Sequence, residues 1–135
     1  MIFAEGGDDL GLILYIQNGN LILENVAFGQ PASLSPIPLT PGVQNISLNF
    51  TAAAPTGVAT GNGLATLNVN GTSVSGQLSP WLVSFPSLFG ASLDGFDVGL
   101  DRRAPVSWAL YNKYGTFPYT GTISQVTVTP GISQP

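Results

Sequence analysis

Residues 43–50 alternate between apolar and polar side chains. The apolar side consists of Ile46, Leu48 and Phe50, and the polar side of Asn45, Ser47 and Asn49. Because successive side chains of a β-strand point to opposite faces of its sheet, this period of two predicts a half-buried strand. We expect the sheet that contains this strand to have one face in contact with solvent.

Two Asn-Gly pairs predict β-hairpins, since Asn and Gly tolerate the positive φ angles of a two-residue type I′ turn. The pairs and the segments they join are Asn18-Gly19 between residues 12–16 and 21–23, and Asn70-Gly71 between residues 64–69 and 72–75. In the second hairpin, alternation predicts that Leu67 and Val69 face inward and that Thr66 and Asn68 face outward.

Further strands are predicted at residues 2–5, 96–100 and 122–129, the last with a bulge between Ile123 and Val126. Residues 31–41 hold four of the eleven prolines and are expected to form an extended edge or a loop. Residues 51–62 and 79–94 are interpreted as connections, the second with aromatic packing or a short helical turn. Strands at this spacing without helical segments predict one all-β domain over residues 1–135, an antiparallel β-sandwich of about eight to twelve strands.

The low charge of the chain agrees with this fold class and excludes several functions. Charged residues make up 7% of the sequence, against about 25% in typical domains. With three basic residues and a net charge of −4, the chain lacks the basic surface that nucleic acid or an anionic membrane requires. No apolar run approaches the roughly 20 residues that cross a bilayer. The start lacks the features of a signal peptide, so we expect a domain excised from a longer chain.

The residue types that most enzymes use are also missing. The sequence contains no Cys and no His, which removes thiolate chemistry, the commonest general base and the usual Ser-His-Asp triad. Glu5 and Glu24 stand alone in the sequence, and no strand carries the alternating carboxylates of a concanavalin-like glucanase. We therefore expect no catalytic activity from this chain by itself.

Three carboxylates close together in sequence, Asp94, Asp97 and Asp101, are a candidate Ca²⁺ site, because Ca²⁺ prefers carboxylate and carbonyl oxygens. Turn hydrogen bonds, together with charge compensation by the neighbouring Arg102 and Arg103, are the alternative explanation and the favoured one. The pair Asp8-Asp9 is a second, weaker candidate.

Aromatic residues are the other candidate binding groups. The rings of Trp and Tyr can stack on the faces of sugars while their N–H or O–H group forms a hydrogen bond. The candidate carbohydrate-binding residues are Trp81, Trp108, Tyr111, Tyr114 and Tyr119. Packing in the core or against another domain is the alternative and is favoured over a glycan platform. Among the aromatic residues, Tyr15 and Phe117 are the ones that we expect most strongly to lie in the core.

Several segments, read in order, resemble a known family. They are Glu5-Gly-Gly7, Gly11, Leu14-Tyr15, Asn18-Gly-Asn-Leu21, Pro41-Gly42 before the strand to Phe50, Phe96-Asp-Val-Gly-Leu-Asp101, Ala104-Pro-Val-Ser107, Tyr111, Phe117-Pro-Tyr-Thr-Gly-Thr-Ile123 and Val126. Their order is similar to that of the β-sandwich domain that follows the catalytic domain in bacterial arylsulfatases, which is related to laminin-G and concanavalin-like jelly rolls. The chain departs from that family at Val43, where His or Lys is usual, and near the position of Arg102 or Arg103, where an acidic or small residue is usual.

The resemblance implies a concanavalin-like jelly roll that serves as a non-catalytic accessory domain of an arylsulfatase-like protein. Its partner would be the catalytic domain of the same longer chain, and its location would be secreted or periplasmic. Two alternatives remain open. One is a lectin-like module that binds a glycan, and the other is a structural or adhesive element of a surface or virion assembly that forms homo-oligomers through strand edges.

Overall fold

The computed structural model describes residues 1–52, 63–78 and 96–129. These ranges contain nine β-strands and one α-helix. In chain order they are β1 (Phe3–Gly7), β2 (Leu10–Gln17), β3 (Asn20–Ala27), β4 (Gln30–Ser33), β5 (Ile37–Pro38), β6 (Ile46–Ala52), β7 (Gly63–Val69), β8 (Thr72–Leu78), β9 (Phe96–Val98) and α1 (Trp108–Tyr114). The predicted connection at 79–94 and most of the one at 51–62 lie outside the described residues.

The strands form two antiparallel sheets. The large sheet has the order β4-β3-β2-β1-β9, with β5 also paired to β3, and the small sheet has the order β6-β7-β8. A core of aliphatic side chains joins them, and Leu21, Leu23 and Leu67 in it are completely buried. The predicted all-β sandwich is confirmed, and the nine described strands fall within the predicted number.

Both Asn-Gly hairpins are confirmed. Asn18 and Gly19 join β2 to β3 with φ angles of 50° and 75°, and Asn70 and Gly71 join β7 to β8 with φ angles of 50° and 91°. Two consecutive positive φ angles are what a type I′ turn requires. The alternation in β7 is confirmed as well, since its Leu67 and Val69 side chains are buried.

The predicted edge at residues 31–41 is also confirmed. Pro31 of β4 pairs with Val26 and Pro38 of β5 pairs with Asn20, both on the side of β3 that faces away from β2. Proline suits this position, because an edge strand does not need to donate every amide to an inner ladder.

Near the C-terminus one predicted strand is absent and another is shorter than predicted. Residues 122–129 form no strand, and Val126 and Val128 are about half exposed. The alternation in this segment breaks between residues 123 and 126, so its apolar side chains do not all fit one face. The predicted strand at 96–100 ends at Val98, because Gly99 turns the chain with a φ of 79°.

A third layer covers the outer face of the large sheet. Val106 is completely buried there, and Leu110 and Phe117 pack with it against the sheet. The sheet contributes Ala4, Ile13, Tyr15 and Val26 to this second core. Residues 105–117, which include α1, therefore form what we call the C-terminal layer.

Candidate functional site

The helix α1 presents a row of three aromatic side chains on the surface of the C-terminal layer. Trp108, Tyr111 and Tyr114 are spaced by three residues, so they lie on the same side of the helix. Their exposed fractions are 37%, 39% and 42%. The rings of Trp108 and Tyr111 meet edge to face with their centroids 5.4 Å apart. We call these three residues the aromatic ridge.

Local hydrogen bonds explain why this short segment is helical. The hydroxyl of Ser107 accepts from the backbone amide of Leu110 at 3.2 Å, which is an N-cap. At the other end the amide of Gly115, whose φ is 68°, donates to the carbonyl of Tyr111 at 2.7 Å. Lys113 stands in the last turn, where the helix dipole favours a positive charge.

The turn between β1 and β2 fixes the start of the helix. Asp8 and Asp9 both have positive φ angles, of 54° and 62°. Asp9 Oδ1 accepts from the backbone amide of Trp108 at 2.9 Å, and Asp8 Oδ1 accepts from Trp108 Nε1 at 3.0 Å. At the far end of the ridge, Gln17 Nε2 donates to the hydroxyl of Tyr114. Contacts with the β1–β2 turn and with β2 therefore hold both ends of the ridge in place.

The structure places the remaining predicted aromatic residues elsewhere. Tyr119 is half-buried in the segment that follows α1, and its hydroxyl lies close to Gly121. Tyr15 is buried as predicted, and its ring meets that of Phe117 edge to face at 5.9 Å. Trp81 lies outside the described residues.

A buried polar network lies under the helix. The hydroxyl of Tyr15 donates to Glu24 Oε2 at 3.2 Å, and Ser107 bonds to the same carboxyl group. Burial raises the pKa of Glu24, and these two hydrogen bonds oppose that effect in part. Burial and the nearby charge of Glu24 raise the pKa of Tyr15. The N-cap of α1 is therefore linked through Ser107 to an acid buried in the large sheet.

Replacing Glu24 with Gln is expected to stabilise the protein at pH 7, because the folded wild type buries a charge there that the amide does not carry. Since the pKa of Glu24 is raised above the unfolded value of about 4.3, the wild type gains stability as pH falls through the raised pKa. The advantage of E24Q in urea midpoint should therefore shrink as pH falls toward about 4.

Glu5 supplies the comparison for this experiment, because burial also raises its pKa, but it has no place in the network with Tyr15 and Ser107. E5Q should remove only the contribution of Glu5, so the part of the pH dependence of stability that comes from Glu24 should remain. Parallel pH profiles for the wild type and E24Q would contradict the role given to Glu24.

The described members of the predicted calcium site both hold backbone turns. Asp97 Oδ2 accepts from the amide of Arg102 at 2.9 Å, and Asp101 Oδ2 accepts from the amide of Val106 at 2.9 Å. Asp94 lies outside the described residues. Within residues 1–52, 63–78 and 96–129, no three acidic side chains are grouped closely enough to hold a metal ion. The Ca²⁺ site stays a prediction, and Asp97 and Asp101 support the loop that leads into α1.

Two cavities flank the aromatic ridge. One has a volume of about 150 Å³, and its wall includes Arg102, Arg103, Tyr111 and Thr116. We call it the arginine cavity. The other has a volume of about 240 Å³ and lies beside Tyr114. Sequence reasoning did not identify either cavity, because each depends on the packing of the C-terminal layer against the large sheet.

Among the residues that the structure describes, no helix is long and apolar enough to cross a membrane. No protein-family model, curated protein or solved structure matches the chain.

Proposed function

We propose that this chain is a non-catalytic accessory β-sandwich domain of an arylsulfatase-like protein and that it contacts its catalytic domain through the aromatic ridge. The observation that carries the proposal is the ridge itself, which consists of three aromatic side chains, each more than a third exposed and held in position by the large sheet. Aromatic residues are enriched at protein interfaces, where they supply large contact areas at low entropic cost.

The resemblance to the arylsulfatase domain supports the proposal through the structural roles of its residues. Asp97 and Asp101 of the matching segment 96–101 hold the turns before α1. Val106 and Ser107 of the next segment provide the buried anchor and the N-cap of the helix. The matching segments 96–101 and 104–107 are therefore the ones that lead into the C-terminal layer and position the ridge.

The non-catalytic role is supported by the chemistry of the described acidic groups. Glu24, the most buried of the described carboxyl groups, lies beneath the C-terminal layer and bonds to Tyr15 and Ser107. The carboxylates of Asp8 and Asp9 bond to Trp108. These groups position the helix, and with no His or Cys in the sequence they have no usual proton-transfer partner.

The complete gene product tests the proposal. We expect it to contain, upstream of these residues, the C/S-x-P-S-R motif of a sulfatase catalytic domain. In that protein, the double substitution Tyr111→Ala and Tyr114→Ala should lower the melting temperature by several degrees, because it removes contact area at the domain interface.

The matched control is Thr66→Ala with Ser75→Ala, a hydrogen-bonded pair on the outer face of the small sheet. This control should change the melting temperature of the complete gene product and of the isolated chain by the same amount. A complete gene product that contains no sulfatase-type domain would overturn the proposal.

A glycan-binding module is the second candidate, and the two cavities beside the ridge favour it. Sugar sites typically combine an aromatic ring with a few polar groups in a concave surface. A glycan array with and without Ca²⁺ tests this candidate, with Trp108→Ala as the variant that removes one ring of the ridge. Absence of binding at millimolar ligand would end it.

A further inference from the structure

The arginine cavity concentrates positive charge in an acidic protein. The sequence has three basic residues in all and a net charge of −4. Two of the three, Arg102 and Arg103, line this one cavity. Asp101 also lines it, and one of its carboxylate oxygens accepts from the amide of Val106. The residues that line the cavity therefore include the exposed Arg102, a second arginine and one aspartate, whose Oδ2 is bonded to the backbone.

This composition favours an anionic group as the occupant. The guanidinium group of Arg presents several N–H donors in a planar fork that matches the two oxygens of a carboxylate. Tyr111 and Thr116, whose side chains carry hydroxyl donors, also line the cavity. A volume of about 150 Å³ is ample for a carboxylate with its adjoining atoms.

Tyr111 connects the cavity to the surface next to it. Its side chain lines the arginine cavity and also forms the middle of the aromatic ridge. Its ring is 39% exposed and is supported edge to face by Trp108. A ligand whose charged group enters the cavity therefore meets an aromatic ring at the opening, and such rings stack on the apolar faces of sugars.

We propose that the arginine cavity binds the carboxylate of an acidic sugar unit, a uronic acid, with the sugar ring packed against Tyr111. The site rests on the second candidate function, glycan binding, and is an alternative to docking through the ridge, because both would cover the exposed ring of Tyr111. Arg102 and Arg103 recognise the charge, and Tyr111 recognises the sugar.

Calorimetric titration of the chain with three probes tests the site. The probes are a galacturonic acid trisaccharide, the neutral galactose trisaccharide and inorganic phosphate. We expect the uronate to bind about tenfold more tightly than the neutral sugar, since charge-assisted hydrogen bonds contribute more than neutral ones. Arg102→Gln should remove this difference, and phosphate alone should bind more weakly than the uronate.

Lys113→Gln is the matched control, because it removes the same charge from a residue that lines neither cavity and lies over the ring of Tyr114 at 5.0 Å. It should leave uronate binding unchanged. Arg102 is exposed, so we expect its variants to fold. Arg102→Lys, which keeps the charge but loses the planar fork, should retain only part of the preference for the uronate.

The outcomes separate this site from the glycan candidate. Equal binding of the uronate and the neutral sugar would overturn the anion site and leave the glycan candidate in place. Binding of neither sugar would overturn both. An equal loss of uronate binding in R102Q and K113Q would show general charge attraction and would also overturn the site, as would phosphate binding as tight as that of the uronate.

Discussion

Replacing Gly11 with Ala is expected to destabilise the protein by about 3 kcal/mol or more, because strained backbone and steric overlap add together at this position. Gly11 has a φ of 144°, which L side chains rarely adopt. A Cβ at this position would lie 2.0 Å from the carbonyl oxygen of Glu5 on the neighbouring strand β1. The contact is with backbone, so no side-chain rotation relieves it. Urea denaturation monitored by circular dichroism measures the effect.

Gly42→Ala is the control for this prediction. Gly42 also has a positive φ, of 116°, but a methyl group added there would meet no atom within 4 Å beyond its immediate chain neighbours. The substitution should cost only the backbone strain, about 1 kcal/mol. Equal losses of stability in the Gly11→Ala and Gly42→Ala variants would contradict the steric overlap expected between a side chain at position 11 and the backbone of β1.

Replacing Val106 with Asp is expected to detach the C-terminal layer from the large sheet. Val106 is completely buried between the sheet and α1, and a carboxylate there would have to lose its hydration or leave the core. We expect a loss of about 3 kcal/mol or more, in the range of substitutions that bury an unpaired charge. Detachment should also break the contacts of Trp108 with Asp8 and Asp9, expose it further and shift its fluorescence to longer wavelength.

Val128→Asp introduces the same change at a valine that is 50% exposed. Its effect on stability should stay within about 0.5 kcal/mol, as for most surface substitutions. If Val106→Asp were equally mild, the C-terminal layer would not be packed as a third layer on the sandwich.

The parts of the fold that depend on local chemistry were predictable from the sequence. Both Asn-Gly turns and the inward and outward faces of β7 follow from turn residues and alternation. The turn Phe28-Gly29 between β3 and β4 was missed, since Phe is uncommon at the positive φ of 51° that it adopts here.

The helix was not predicted, because the chain has few of the charged residues that form the solvated face of most surface helices. In α1 tertiary contacts replace that face, with Asp8 and Asp9 bonding to Trp108 and Gln17 bonding to Tyr114. The sequence does contain capping signals, Ser107 before the helix and Gly115 after it. These two residues are the local signal from which the helix could have been predicted.

The link between Tyr15 and Glu24 could have been found from the first hairpin. Its two-residue turn pairs Gln17 with Asn20, and the same register pairs Tyr15 with Ile22 and Ile13 with Glu24. Tyr15 and Glu24 are therefore diagonal neighbours on one face, close enough for long side chains to touch. The cavities could not be found in this way, because they depend on how the C-terminal layer packs against the sheet.

The central claim, that the aromatic ridge is the surface through which this domain contacts the rest of a longer protein, is tested most directly by hydrogen–deuterium exchange. The backbone amides of α1 in the complete gene product should exchange at least about tenfold more slowly than in the isolated chain, because docking suppresses local opening of the helix. The amides of β7 and β8, which belong to the other sheet of the sandwich, should exchange alike in both. Equal exchange of the α1 amides in the two proteins would contradict the claim.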